Sequence, residues 1–160
     1  MNFAEPLFAY GTLMFPEVIA AVIGRVPPAQ PASATGFERR EIIGQWYPGL
    51  VRSRSANPVN GIVYDGLTRP DWAKLNAYEG DFYELTAIAI TRDGQEEAAL
   101  VYLVPESGRS RLGRAHWDPE AFRRLRLASY LAGQAGCAQD RVPGGHPIEA
   151  DSPEADIRTS

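Results

Sequence analysis

The sequence predicts an α+β domain built as a small mixed β-barrel with flanking helices. Its 160 residues suit one compact domain that buries enough apolar surface to fold without staples. The hydrophobic period switches between strand and helix in the order β-α-β-β-β-α-β-β-α, with no repeat of equal units and few of the crossover helices that a doubly wound sheet requires. Closing such strands into a barrel hides their edges and leaves a pocket at the mouth.

Each element follows from local signals. Leu7-Phe8-Ala9-Tyr10 reads as a short buried strand, broken by Gly11-Thr12 before a helix that begins near Pro16 and stops near Gly24. Pro27, Pro28 and Pro31 mark a connection. Ala34 to Gly44 then reads as one or two strands, Tyr47-Pro48-Gly49 as a turn, and Gly61 to Tyr64 as the next strand. Thr68 and Asp71 form a capping-box pattern around Pro70, and Gly80 is a natural stop, so a helix is confined between them. On its 3.6-residue period Trp72, Leu75 and Glu79 share one face, which puts a carboxylate on the apolar side. Phe82 to Thr91 and Ala98 to Val104 are the arms of a hairpin turning at Asp93-Gly94. Asp118-Pro119 caps a last helix running through Phe122, Leu125 and Tyr130 to Gly133. Residues 1–137 are thus expected to form one domain. Residues 138–160, rich in Gly, Pro and acidic side chains, are expected to be a mobile tail.

Composition excludes several function classes. A formal net charge of −4 is the wrong sign for a protein that neutralises phosphates, so nucleic acid is not an expected partner. The Arg-rich stretches Arg109 to Arg114 and Arg123 to Arg126 read as solvated surface charge. No apolar run approaches the ~20 residues of a membrane helix, and Met1 to Pro6 shows no signal-peptide pattern. A cytoplasmic protein without a membrane partner is expected. A single cysteine, Cys137, excludes an internal disulfide and a thiolate cage, and two histidines, His116 and His146, cannot build a multi-histidine metal site. There is no nucleophile elbow and no dinucleotide or P-loop glycine spacing.

What remains is carboxylate acid–base chemistry assisted by backbone donors. A strand ending in a tight turn before a helix leaves several N–H groups of Tyr10, Gly11, Thr12 and Leu13 near one spot, which suits an anion or oxyanion. Glycine at such a junction also has an ordinary steric reading. Glu79 is either a satisfied helix-end carboxylate or a proton-transfer group; desolvation raises a carboxyl pKa, and a raised value suits a general base near neutral pH. Tyr78, Phe82 and Tyr102 read as core, with Tyr83, next to the Glu79 turn, the exception.

Taken as an ordered set, Phe8-Ala9-Tyr10-Gly11-Thr12-Leu13, Tyr47-Pro48-Gly49 and Leu75-Asn76-Ala77-Tyr78-Glu79-Gly80-Asp81-Phe82-Tyr83 resemble the gamma-glutamylcyclotransferase-like family, in its AIG2-like branch. Trp117-Asp118-Pro119-Glu120 and Tyr130-Leu131 extend the resemblance, which covers about residues 7 to 132. Members often carry an acid where this chain has Asn76 and an arginine where it has Leu85.

The resemblance implies the barrel fold of that family and an activity. The α-amine of a γ-glutamyl compound attacks its own γ-carbonyl, giving 5-oxoproline and a free amine. Glu79 matches the catalytic glutamate, Tyr10 to Leu13 the substrate-binding loop, and Tyr83 a substrate-contacting or Glu79-orienting position. The partner is a small γ-glutamyl molecule, and no cofactor or metal is implied. A pocket with a buried carboxylate also suits a non-catalytic binding or stress-response module, or a different amide-processing reaction.

Overall fold

A computed structural model describes residues 4–54 and 57–137. The expected tail, 138–160, and His146 lie outside the described residues. The fold is α+β. Its strands are β1 (Leu7–Ala9), β2 (Ala29–Ala34), β3 (Phe37–Ile42), β4 (Pro48–Arg52), β5 (Val59–Tyr64), β6 (Glu84–Arg92), β7 (Gln95–Leu103) and β8 (Leu112–His116). Its helices are α1 (Pro16–Ile23), α2 (Arg69–Glu79), α3 (Pro119–Leu125) and α4 (Leu127–Cys137), with short 3-10 turns at Thr12–Met14 and Glu106–Arg111. Five strands close a barrel in the order β1-β5-β2-β6-β7, and β4-β3-β8 form a separate three-stranded sheet. The barrel is mixed, because β1 pairs antiparallel with β5 and parallel with β7.

The period-2 pattern of the closing strands explains why both of their faces are buried. Phe8 and Tyr10, with Ala99, Val101 and Leu103 of β7, belong to one core cluster. Leu7 and Ala9, with Leu100 and Tyr102, belong to a second, which they share with α1, α2 and Phe122. On α2, Trp72, Leu75, Tyr78 and Glu79 are all buried, as the helical period requires. The Asp93-Gly94 turn has φ of 53° and 74°, the left-handed pair of a two-residue hairpin, and β6 and β7 stay in register from Glu84↔Leu103 to Arg92↔Gln95.

Four sequence expectations need correction. The stretch from Ala34 to Gly44 holds a strand, β3, as expected, but the connection read at Pro27, Pro28 and Pro31 contains β2, in which Pro31 pairs with Ile62 of β5, while on its other side β2 meets β6 at Ser33↔Thr91. Pro48 and Gly49 open β4 rather than a turn, the reversal being upstream at Ile42–Gln45 with Gly44 at φ 79°. Gly49 is required there by packing, since a Cβ would lie 2.5 Å from Val104 Cγ2.

The arginines of the Arg109–Arg114 stretch lie at the surface as expected, but the stretch also holds the end of a 3-10 turn and the start of β8, an edge strand absent from the expected element order. The last helix is two helices. Phe122 and Leu127 are five residues apart, which on a straight helix is about 140° of rotation. The break at Arg126 (φ −128°, ψ −22°) lets both reach the core, while Leu125 is left 60% exposed.

Candidate active site

Glu79 closes α2 and is only 9% exposed. The helix starts on a full capping box between Thr68 and Asp71, and ends where the Gly80 N–H bonds Asn76 O at 2.9 Å. Gly80 has φ 77° and ψ −168°, a region open essentially to glycine alone. The chain therefore turns away directly after Glu79, leaving its carboxylate in the interior.

Opposite it, β1 runs out at Ala9, and Gly11 leads into the 3-10 turn of Thr12–Met14. Every carbonyl in this turn has a donor. Arg39 Nη1 donates to Tyr10 O at 2.9 Å, Met14 N to Gly11 O at 3.0 Å, Phe15 N to Thr12 O at 3.2 Å, and Tyr64 Oη to Leu13 O at 2.6 Å. In a planar trans peptide the N–H points opposite to the C=O. The N–H groups of Gly11, Thr12 and Leu13 are therefore turned away from the donors to Tyr10, Gly11 and Thr12 O, and the turn offers them no carbonyl of its own. Gly11 lies against Pro48: a Cβ would sit 3.0 Å from both Pro48 Cγ and Cδ.

Tyr10, Gly11, Thr12, Leu13, Glu79 and Tyr83, all selected from the sequence, line one cavity. Leu7 to Ala9, Tyr47, Pro48 and Tyr102 complete its wall. The void is about 320 Å³ counted out to its open mouth, but a water-sized sphere can move its centre through only about 20 Å³, room for about one water. A larger, more open groove, with a void of about 1040 Å³ counted in the same way, lies between β8 and α3, along Trp46, Trp117 and Leu125, and contains none of these six residues.

Hydrogen bonds fix the tyrosines. Tyr10 donates to Tyr102 O at 2.6 Å, and Tyr83 to Pro48 O at 2.9 Å. Each phenol has one proton to donate, so these side chains offer the cavity ring surface and oxygen lone pairs. Thr12 Oγ1 and Tyr78 Oη are 2.9 Å apart, and Tyr78 also bonds Tyr130. This chain ties the turn to the residue preceding Glu79 and so sets the spacing between the two halves of the site. Burial pushes the phenols of Tyr10, Tyr47, Tyr78, Tyr83 and Tyr102 upward, and the Glu79 charge pushes each the same way. All five stay protonated around the carboxylate.

Tyr102 lies in the core, as expected, and also lines the cavity. Its hydroxyl donates to Asn76 Oδ1 at 2.7 Å, and Leu85 faces it across the β6–β7 ladder. Asn76 and Leu85 therefore meet at one cavity-lining tyrosine. Arg39, Tyr47, Pro48 and Tyr102 were not singled out as site residues. Tyr47-Pro48 is visible as a motif, whereas Arg39 has no sequence signal, because it acts through a carbonyl 29 positions away.

The model of the family described as gamma-glutamyl cyclotransferase, AIG2-like, matches residues 7–119. The chain belongs to this family. Among its relatives, AIG2-like protein A of Arabidopsis thaliana is 30% identical over 128 residues, covering 78% of this chain and 76% of that one. A solution structure from Arabidopsis thaliana superposes with a TM-score of 0.61 at 26% identity, covering 87% and 94% of the two chains. A structure named gamma-glutamyl cyclotransferase superposes with a TM-score of 0.56 over 95% of this chain and 93% of its own; at 16% identity it shows the shared fold. The matched span of the AIG2-like family model holds both Tyr10–Leu13 and Glu79 and stops at the first residue of α3.

Proposed function

We propose that this protein is a γ-glutamyl cyclotransferase that converts a γ-glutamyl amine or γ-glutamyl amino acid to 5-oxoproline and the free amine. One observation carries the reading: the buried Glu79 carboxylate and the Tyr10–Leu13 turn line the same cavity. Membership of the gamma-glutamyl cyclotransferase, AIG2-like family supports it.

In this mechanism the substrate binds folded, its α-ammonium at Glu79 and an anionic oxygen at the Gly11–Leu13 amides. Glu79 takes a proton from the ammonium. The freed nitrogen attacks the γ-carbonyl carbon, forming the ring C–N bond while the carbonyl π electrons move to oxygen. As the tetrahedral centre collapses, Glu79 returns the proton to the departing nitrogen and the old C–N bond breaks. Glu79 then takes the second proton from the ring nitrogen, leaving the neutral lactam, and passes it to the released amine, which departs as an ammonium. Acid–base transfer of this kind contributes ~10²–10⁴-fold. Holding the flexible chain folded contributes more, since well-oriented intramolecular reactions reach effective molarities of ~10⁵–10⁸ M. The free space is too small for such a chain, so entry requires the lining to yield.

The test is 5-oxoproline production from a panel of γ-glutamyl amines, γ-glutamyl amino acids and glutathione. Glu79→Gln is expected to lower turnover by ~10²-fold or more. Undiminished turnover in that variant sinks the assignment. Saturable binding without product identifies a binding module, and free glutamate in place of 5-oxoproline identifies a hydrolase.

A further inference from the structure

We propose that Arg39 is a positioning residue for this site, holding the Tyr10–Gly11 peptide so that the Gly11 N–H faces the substrate's anionic oxygen and strengthening that donor with its charge. The proposal rests on the cyclotransferase reading. Its starting point is an imbalance in the cavity wall. The lining contains one carboxylate, Glu79, and neither lysine nor arginine. A γ-glutamyl substrate brings its own carboxylate into that wall. Backbone N–H groups must therefore meet a negative charge, and their orientation and polarity decide how well they do so.

Arg39 stands behind the turn, on β3. Its Nη1 donates to Tyr10 O at 2.9 Å and to Asn60 O at 3.1 Å, joining the end of β1 to β5. The guanidinium carbon lies 5.7 Å from the centre of the Trp117 ring, and Trp117 is itself fixed by Nε1 donating to Trp46 O at 2.7 Å. The cation is thus held over an anchored ring, with one guanidinium nitrogen, Nη1, spanning two carbonyls. A charged donor on one side of a peptide polarises the N–H on the other, and charge-assisted bonds are about twice as strong as neutral ones. Tyr64 donates to Leu13 O without a charge, and the N–H of that peptide, Met14 N–H, is already spent on Gly11 O. Arg39 thus stands behind the first peptide of the turn, whose N–H belongs to the Gly11 that packs on Pro48.

The experiment uses the full chain, ¹⁵N-labelled, as wild type and Arg39→Met. Three quantities are read: the Gly11 amide shift without ligand, the Kd for 5-oxoproline followed on the Gly11–Leu13 amides, and kcat/KM. The Gly11 nitrogen is expected to move when its preceding carbonyl loses the guanidinium. Kd is expected to rise and kcat/KM to fall by about 10-fold or more, the scale of one bond to a charged group. Arg39→Lys, which keeps the charge but not the planar guanidinium over Trp117, is expected to recover part of each loss. If Arg39→Met does not fold, Arg39→Gln takes the same measurements against the same criteria. A lower Tm with an unmoved Gly11 amide, unchanged Kd and unchanged kcat/KM overturns the proposal and leaves Arg39 a structural residue. A wild-type protein without cyclotransferase activity overturns the functional reading instead, and the Gly11 shift and 5-oxoproline affinity still decide the role of Arg39.

Discussion

At the scale of single residues, the site depends on Glu79 being followed by an amino acid that any side chain would handicap. At φ 77° and ψ −168°, Gly80 sets the path by which the chain leaves α2. Gly80→Ala is expected to cost about 1–3 kcal/mol, visible as a lower Tm, and to lower kcat/KM because Glu79 moves with the helix end. A Gly80→Ala protein with wild-type stability would show that this backbone conformation is not needed. Glu79 was legible in the sequence because periodicity is a local property: positions 72, 75 and 79 fall on one face whatever that face packs against. Tyr102 was not, because an inward residue on a strand reads the same whether it meets other side chains or a cavity. Arg39 was hidden for another reason, since its contribution is a bond to a backbone carbonyl that the strands bring near.

Among the elements, α2 carries the catalytic candidate, and its N-terminus is its anchor. Thr68 caps Asp71 N, while Asp71 bonds Thr68 N at 2.9 Å and the half-exposed Arg25 at 2.5 Å. Burial alone would push the Asp71 carboxyl up, but the Thr68 N–H, Arg25 and the Thr68 hydroxyl outweigh it and hold it below its usual value. A folded pKa below the unfolded one means stability that is fully present above the ordinary Asp range, about 4, and is lost as pH falls through the folded value. Asp71→Asn is expected to unfold at lower denaturant than wild type at pH 7, with the gap closing below about pH 4. A gap independent of pH would rule out the ionised pair as its cause. The capping box was readable because its partners are three residues apart. The break between α3 and α4 was not, because Arg126 departs from helical geometry only so that Phe122 and Leu127 both reach a core built by other elements. The edge strand β8 escaped for a similar reason: Leu112–His116 has little strand propensity of its own and is paired onto β3 by tertiary contacts.

Over the whole molecule, the barrel seam and the site are one structure, because the turn that faces Glu79 is the continuation of the strand that closes the barrel. Gly61 sits where β5 passes β1, and a Cβ there would lie 2.4 Å from Ala9 O and 2.9 Å from the Phe8 ring. Gly61→Ala is expected to cost about 1–3 kcal/mol and, in the protein that remains folded, to lower kcat/KM with it, since Ala9 leads into Tyr10–Leu13. Asp71→Asn, remote from the turn, is expected to lose stability while kcat/KM of the folded protein is kept. If Gly61→Ala lost stability alone, seam and site would be independent. The sequence by itself determined the α+β class, the hairpin, both ends of α2, the burial of Glu79 and the strand-to-turn junction at Tyr10–Leu13, all of them consequences of period, capping and turn chemistry within a dozen residues. Only the tertiary structure decided that these pieces share one cavity, that Tyr47, Pro48 and Tyr102 complete it, and that Arg39 stands behind it. Those facts depend on which strands meet around the barrel, and pairing partners tens of residues apart leave no local signal.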